Sequence, residues 1–387
     1  MVAVAPLVSG TFPSYLMGTL AVSMGADLGF TTATLGLLTA LRFLVAAASS
    51  APLGRLAERI GAAHGLRIAA GTVAVLAAAV AAFVHDVWTL AVMLAMCGLA
   101  LGLVQPAADL WVARGISSDR QGFAFGVKQA AVPATALLAG LAVPAVLEPF
   151  GWRWVWALAA AFALLATLAV PLRNNRTTTR RVTVHPPSDA RFRPLIWLAA
   201  TFAFGSVAVV SVTTFLVLAA VDQGMTEGTA GVLFAVSSVV GIVGRLLFGR
   251  LADRTDRDLL LVLALLQVLG AGVFVLLALV DSAWYFLAAP LAFAVGLGWP
   301  GVLMLATVRA YPAGPAAATS VVNIGAYLGS IGGPIGFGLI AVNWGFAAGW
   351  AYVVASLLVA AAAALAGRAA LRPAPSHTGT GRRGAGP

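Results

Sequence analysis

The sequence is divided along its whole length by apolar runs, each close to the ~20 residues that a helix needs to cross a ~30 Å hydrocarbon layer. Set against their polar breaks, the runs predict helices near 5–26, 32–53, 66–85, 88–112, 122–147 and 152–172, then near 195–220, 228–249, 259–280, 283–308, 316–341 and 346–366. Little is left over to build anything else. Of 387 residues, 61% are hydrophobic and 9% charged, whereas a water-soluble domain carries roughly a quarter charged residues. A soluble fold of this size would lack a polar surface, so the expected fold class is an all-α membrane protein with twelve transmembrane helices.

A net charge of +10 and a pI near 11.1 would suit a nucleic-acid binder, but the placement of the charge argues against one. Apart from Arg42, Lys128 and Arg153, the basic residues lie in or beside the loops after helices 2, 4, 6, 8 and 10 and in the tail. The opposite loops carry Asp27, Asp86, Glu148, Asp222, Glu227 and Asp281. Because Lys and Arg are retained on the cytoplasmic side during insertion, both termini are expected in the cytoplasm of a multi-pass protein of the cytoplasmic membrane. Residues 1–6 lack the basic leader of a cleaved signal peptide, so the first helix is expected to stay in the mature chain.

Several chemistries find no footing. The single cysteine, Cys97, rules out an intramolecular disulfide. His64, His85, His185 and His377 stand singly in loops and tail, which gives no metal-ligand spacing. No glycine loop ends in Lys-Ser/Thr to cradle a nucleotide phosphate, and no set of carboxylates suits hydrolysis. Neither a cofactor nor an enzymatic activity is expected, and any work must draw on a gradient.

A shift of 195 residues lays one half of the chain on the other without a gap. Gly54-Arg55-Leu56-Ala57-Glu58-Arg59 falls on Gly249-Arg250-Leu251-Ala252-Asp253-Arg254, Gly10 on Gly205, Asp27 on Asp222, Gly36 on Gly231 and Arg114 on Arg309. Two like-oriented halves imply a pseudo-two-fold axis along the membrane normal with a solute path between them. The expected units are a six-helix bundle over 1–172, a cytoplasmic linker over 173–193 with six arginines, a second bundle over 194–367 and a disordered cytoplasmic tail over 368–387.

The repeated Gly-Arg-Leu-Ala-acid-Arg block resembles the signature loop of the major facilitator superfamily, found between helices 2 and 3 and again between 8 and 9. Pro106 in helix 4 with Arg114 at its end, Gly126-Val127-Lys128-Gln129 in helix 5 and Gly151-Trp152-Arg153 at the head of helix 6 match as well. The resemblance implies a secondary transporter working by alternating access, with Gly54, Arg55, Glu58, Arg59, Gly249, Arg250, Asp253 and Arg254 as gating loops. In that reading Glu58 and Asp253 latch one half to the other, the simpler account being that these loops only fix topology by their charge. The chain departs from the family pattern after Gly61, where Ala62, Ala63 and His64 replace the usual basic pair, and at Asp256, which replaces the closing glycine. The glycine series of helix 11 from Gly325 to Gly338 resembles a helix 5 motif of drug-proton antiporters but sits in the other half, and close packing with a bend explains it equally well.

Charges within the bilayer need a partner or a purpose. Arg42 lies twelve residues before Gly54, about 18 Å from the cytoplasmic end of helix 2 at 1.5 Å per residue, too deep to snorkel. It either binds an anionic group of the solute or pairs with a dipole or carboxylate between helices. Lys128 with Gln129 is a shallower candidate for solute binding, and Asp109 either pairs with Lys128 or carries a coupling proton. Arg245 is expected to snorkel to the cytoplasmic face or to pack on the second signature block. By resemblance helices 1, 4, 7 and 10 line the cavity, which brings in Tyr15, Gln105, Thr213 and Trp299, with Asn323 as the repeat partner of Lys128. The expected partners are a small solute, biased by Arg42 and Lys128 toward one bearing negative charge, the lipid bilayer and protons, in a monomer that binds no nucleic acid. A drug or metabolite exporter of the same fold, or a solute sensor without transport, are the alternatives.

Overall fold

The computed structural model describes residues 4–115, 121–171, 189–253, 258–280, 282–312 and 314–371, and every regular element among them is helical. Helix 1 is a jointed rod, α1 (Val4–Thr19) and α2 (Ala21–Leu28), with Leu20 at φ −100 and ψ 6 between them. Helices 2, 3 and 4 are α3 (Thr32–Ile60), α4 (Ala62–Phe83) and α5 (Val87–Gly115). Helix 5 is α6 (Gln121–Ala142), a π-helical turn (Val143–Leu147) and α7 (Glu148–Phe150), and helix 6 is α8 (Trp152–Ala169). The second half opens with α9 (Asp189–Asp222), α10 (Glu227–Asp253) and α11 (Leu259–Leu279) as helices 7 to 9. Helix 10 is α12 (Ser282–Leu291), a π-helical turn (Ala292–Gly296), an interruption, and α13 (Pro300–Ala310). Helices 11 and 12 run on as α14 (Pro315–Leu371), divided at Gly345 by a φ of 80 that suits glycine.

Among the described residues, ten stretches are long and apolar enough to cross a membrane. The last of these is two crossings parted at Gly345, and the jointed first helix, too short in either piece, brings the number to the expected twelve. Both π-helical turns follow a proline or contain one, Pro290 ahead of the second and Pro144 inside the first. Proline removes an N–H donor from the ladder, and a widened turn absorbs the mismatch. Helix 7 starts at Asp189, earlier than its apolar run at 195, with the acid at the positive end of the helix dipole.

The perimeter is apolar, with Leu279, Phe83 and Val75 exposed at 76%, 71% and 70%. Such a surface is stable against lipid tails and not against water. Trp88, Trp154, Trp284 and Trp344 are exposed near helix ends that share one face, where an aromatic belt meets the headgroups. The same face carries Asp27, Asp86, Glu148, Asp222 and Glu227 and is called the acidic face; the opposite one, with Arg55, Arg59, Arg250, Arg309 and Arg368, is the basic face.

Packing repeats with the sequence. A methyl placed on Gly10 would sit 2.7 Å from Val104, and one on Gly205 would strike the Trp299 ring. The 195-residue shift carries Gly10 to Gly205 and Val104 to Trp299, so helix 1 meets helix 4 as helix 7 meets helix 10. The halves join by the same rule. Gly36 lies against the Pro334 carbonyl, and Gly231 lies against the Gly140 carbonyl and Val143. That shift takes Gly36 to Gly231 and Ala139, next to Gly140, to Pro334. Helix 2 therefore crosses helix 11 as helix 8 crosses helix 5. Along helix 11, Gly325, Gly329 and Gly333 face the Ala199 carbonyl, the Ala203 carbonyl and Val207 of helix 7. The glycine series is thus a close-packing seam within the second half.

On the basic face Asp258 caps α11, its carboxylate accepting from the Leu260 and Leu261 amides, and Arg368 near the end of helix 12 donates to the same group. Burial works against ionising this carboxyl, but the Arg368 hydrogen bond and the two amides outweigh it and hold it below the usual 3.8. With the folded value depressed, the stability it contributes is present above the unfolded value and is lost as pH falls through the folded one. At neutral pH it acts in full. Asp258→Ala is expected to cost about 1 kcal/mol, the usual worth of an N-cap, measured as a lower melting temperature of the purified protein at neutral pH.

Candidate functional site

Arg42 of α3 is 1% exposed. Its Nη1 donates to the Ser14 hydroxyl and its Nη2 to the Gly10 carbonyl oxygen at 2.7 Å, both on α1. Its Nε has no hydrogen-bond partner among the described residues. The groups that act on its charge are Cys97, Tyr15 and Tyr327, none of them a carboxylate. Of the two roles the sequence left open, the visible contacts are with dipoles of helix 1. No carboxylate among the described residues compensates the charge itself.

A second cation, half-buried, sits across the interface. Arg245 lines a small pocket with Tyr15 of helix 1, Thr213 of helix 7, Ser238 of helix 8, and Phe293 and Leu297 of helix 10. Its Nε donates to the Leu297 carbonyl at 3.2 Å, within the interruption that separates α12 from α13. The expectation that Arg245 snorkels to the cytoplasmic face is corrected here. A helical side chain leans toward its helix's N-terminus, and α10 runs from the acidic to the basic face, so Arg245 leans inward. The pocket encloses ≈ 20 Å³, room for about one water.

The other candidates scatter. Tyr15 and Thr213 line the pocket. Trp299 is fully buried in the second half, edge-on to Phe202 with centroids 5.4 Å apart, and its indole N–H has no partner among the described residues. Gln105 is half-buried, and Asn323 and Asp109 are exposed. Asp109 and Arg42 both lie within electrostatic reach of the Tyr327 hydroxyl on helix 11. The side chains of Lys128, Gln129, Asp253 and Arg254 lie outside the described residues, so the expected Asp109–Lys128 pair does too.

In the first signature block Arg55, Glu58 and Arg59 are exposed, and Glu58 has no cation within salt-bridge distance among the described residues. A methyl on Gly54 would lie 3.6 Å from Pro106, an ordinary contact, and one on Gly249 would meet nothing within 4 Å. Arg250 is exposed.

The tight contacts between halves gather toward the acidic face. Besides the Gly36 and Gly231 crossings, Gly18 of helix 1 lies against the Thr213 carbonyl. Glu227 at the head of helix 8 accepts from the Ser23 hydroxyl at 2.5 Å and the Ser23 amide at 3.2 Å. Glu148 of α7 lies against Gly228. At the mouth of this seal a groove of ≈ 510 Å³ opens between Phe30 and Gly25 of the first half and Asp222 and Phe346 of the second. No spacing in the sequence announces Ser23 and Glu227, because the pair is made only by bringing the halves together.

The sequence pattern described as Major Facilitator Superfamily matches residues 2–334. The multidrug resistance protein MdtG of Proteus mirabilis is 26% identical over 330 residues, covering 81% of this chain and 80% of that protein. An uncharacterised MFS-type transporter of Mycobacterium tuberculosis is 29% identical over 241 residues, and the match spans about half of that relative's length, 52%, and 59% of this chain. Among solved structures, the inward-facing, occupied form of a bacterial homolog to the human lysosomal transporter Spinster superimposes with a TM-score of 0.76 at 14% identity, over 97% of this chain and 98% of that one. With helices 1 to 10 inside the matched pattern and a fold shared along almost the whole chain, this protein belongs to the major facilitator superfamily of membrane transporters, which are not enzymes.

Proposed function

We propose that the chain is a secondary transporter that carries a small organic solute bearing negative charge across the cytoplasmic membrane by alternating access. The observation behind the charge preference is Arg42, a guanidinium 1% exposed and held by neutral groups alone among the described residues. A cation at such depth costs at least ~2.5–3.5 kcal/mol on insertion scales. Dipoles from helix 1 offset part of that, and the countercharge arrives with the solute.

The excess of Lys and Arg on the basic face makes that face cytoplasmic. The seal on the acidic face then closes the path to the outside, and Glu58, without a cation partner among the described residues, fits a cytoplasmic latch that is released. Proton coupling is supported by Asp109, whose charge reaches Tyr327 on the other half, so that a proton there would alter an interaction between halves. Drug export is the second reading, favoured by the likeness to a protein named for multidrug resistance.

A panel of organic anions, neutral metabolites and lipophilic cations, scored by melting temperature of the purified protein, tests the reading. A ligand at 100 times its Kd adds about 2.7 kcal/mol to stability, so a binding anion raises the melting temperature visibly, and Arg42→Gln is expected to abolish that rise. Stabilisation by lipophilic cations alone would sink the anionic reading and favour the exporter of drugs. Counterflow in proteoliposomes with the stabilising anion separates a transporter from a sensor that only binds.

A further inference from the structure

Between the halves the described groups form an inventory of donors with few acceptors. Arg245 commits one of its five N–H donors, Nε, to the Leu297 carbonyl, and its remaining donors have no partner among the described residues. Arg42 leaves Nε unpartnered. Tyr15 lines the pocket beside Arg245 and lies within electrostatic reach of both arginines, and its hydroxyl makes no hydrogen bond among the described residues. Thr213 and Ser238 spend their hydroxyl protons on carbonyls of their own helices, Val209 and Phe234. No carboxylate among the described residues lies within salt-bridge distance of either arginine. One arginine belongs to each half, and the pocket at Arg245 draws its walls from both.

We propose that Arg245 is a second cationic anchor for the solute, set in the opposite half from Arg42, and that the transported solute carries two anionic groups. This rests on the anionic reading above and deepens it. A single negative charge would compensate one arginine and leave the other without a countercharge in a medium of low dielectric. Two anionic groups on one small frame, as in a dicarboxylate or a phosphate monoester, satisfy both guanidinia and draw the halves together around the solute. Since the pocket holds about one water in this conformation, the site widens to admit it. Because the Nε of Arg245 holds the Leu297 carbonyl, an anion on the same guanidinium also bears on the interruption of helix 10, where α13 meets α12.

The test compares matched probes at equal ionic strength: succinate with butyrate, phthalate with benzoate, and glycerol phosphate with glycerate. Melting temperature is read for the full-length wild type, Arg245→Gln and Arg245→Lys. At least one dianion is expected to stabilise the wild type at concentrations about tenfold or more below its monoanionic match, the worth of one charge-assisted hydrogen bond. Arg245→Gln is expected to erase that preference while leaving any monoanion response in place, and Arg245→Lys, which keeps the charge, to retain part of it. A monoanion as effective as its partner, or a preference that survives Arg245→Gln, overturns the second anchor while the Arg42 reading stands. Should Arg245→Gln fail to fold, a full loss of the preference in Arg245→Lys would equally count against a role for charge. No response to any of the six probes would bring down this proposal and the anionic reading together.

Discussion

Gly36→Val is expected to leave both six-helix halves folded while driving them apart on the acidic face and abolishing transport. The carbonyl oxygen of Pro334 on helix 11 occupies the place where a Cβ at position 36 would go, and the Phe215 ring stands 3.5 Å away. A backbone carbonyl cannot rotate aside as a side chain can, so relief must come from moving helix 2 against helix 11. Adding methyl groups to a packed contact costs about 1–3 kcal/mol. Within a rigid half such a cost would be absorbed as lost stability. Here it falls on an interface between two bodies whose open and closed arrangements differ by only a few kcal/mol, so it reverses which arrangement is populated. Spin labels at Asp86→Cys and Gln223→Cys, on the acidic-face ends of the two halves, report the outcome in a Cys97→Ala background. Their separation is expected to lengthen by several ångström in the Gly36→Val protein, and an unchanged distance would refute the seal. Gly231→Val, the matched site on helix 8 against Gly140 and Val143, is expected to do the same.

That experiment depends on knowing which way each helix faces, and this is what the sequence conceals. The twelve crossings and the twofold repeat were legible because the bilayer imposes length and composition on every span and because the two halves keep register over 195 residues. Depth was legible too, since rise per residue places Arg42 far from either end of helix 2. Azimuth was not. In water a helix shows its buried side by the contrast between apolar and polar faces, but lipid is as apolar as a protein core, and the contrast vanishes. Trp299 was therefore open to reading as a cavity residue, although it fills the space over Gly205. Arg245, one turn from Gly249, was open to reading as a snorkelling residue or as packing for the second signature block, although its helix directs it inward. The seal of Ser23 on Glu227 joins residues that no local pattern relates. What survives in the sequence as a sign of azimuth is glycine, and on helix 11 the residues four apart, Gly325, Gly329 and Gly333, mark the side that touches helix 7.

The same glycines yield the prediction with the largest loss of stability. On helix 11, Gly329 and Gly332 differ by less than one turn, yet they face opposite environments. A Cβ at 329 would overlap the Ala203 carbonyl of helix 7 and approach Ser206 to 2.8 Å, whereas one at 332 meets nothing within 4 Å. Gly329→Leu must push helix 7 away along a seam that Gly325 and Gly333 hold tight on either side, which also pulls apart the neighbouring contacts. The expected cost exceeds the ~1–3 kcal/mol of ordinary overpacking and approaches the ~5–15 kcal/mol that a folded chain has to spare. Gly332→Leu adds a leucine to an exposed position and is expected to change little. Expression of monodisperse protein and its melting temperature check the pair, with Gly329→Leu lost to aggregation or melting far below the wild type and Gly332→Leu within a few degrees of it. Equal behaviour of the two variants would mean that helices 7 and 11 are not packed backbone to backbone. In that case the glycine series would need another explanation, and the second half could no longer be treated as a rigid body that rocks against the first.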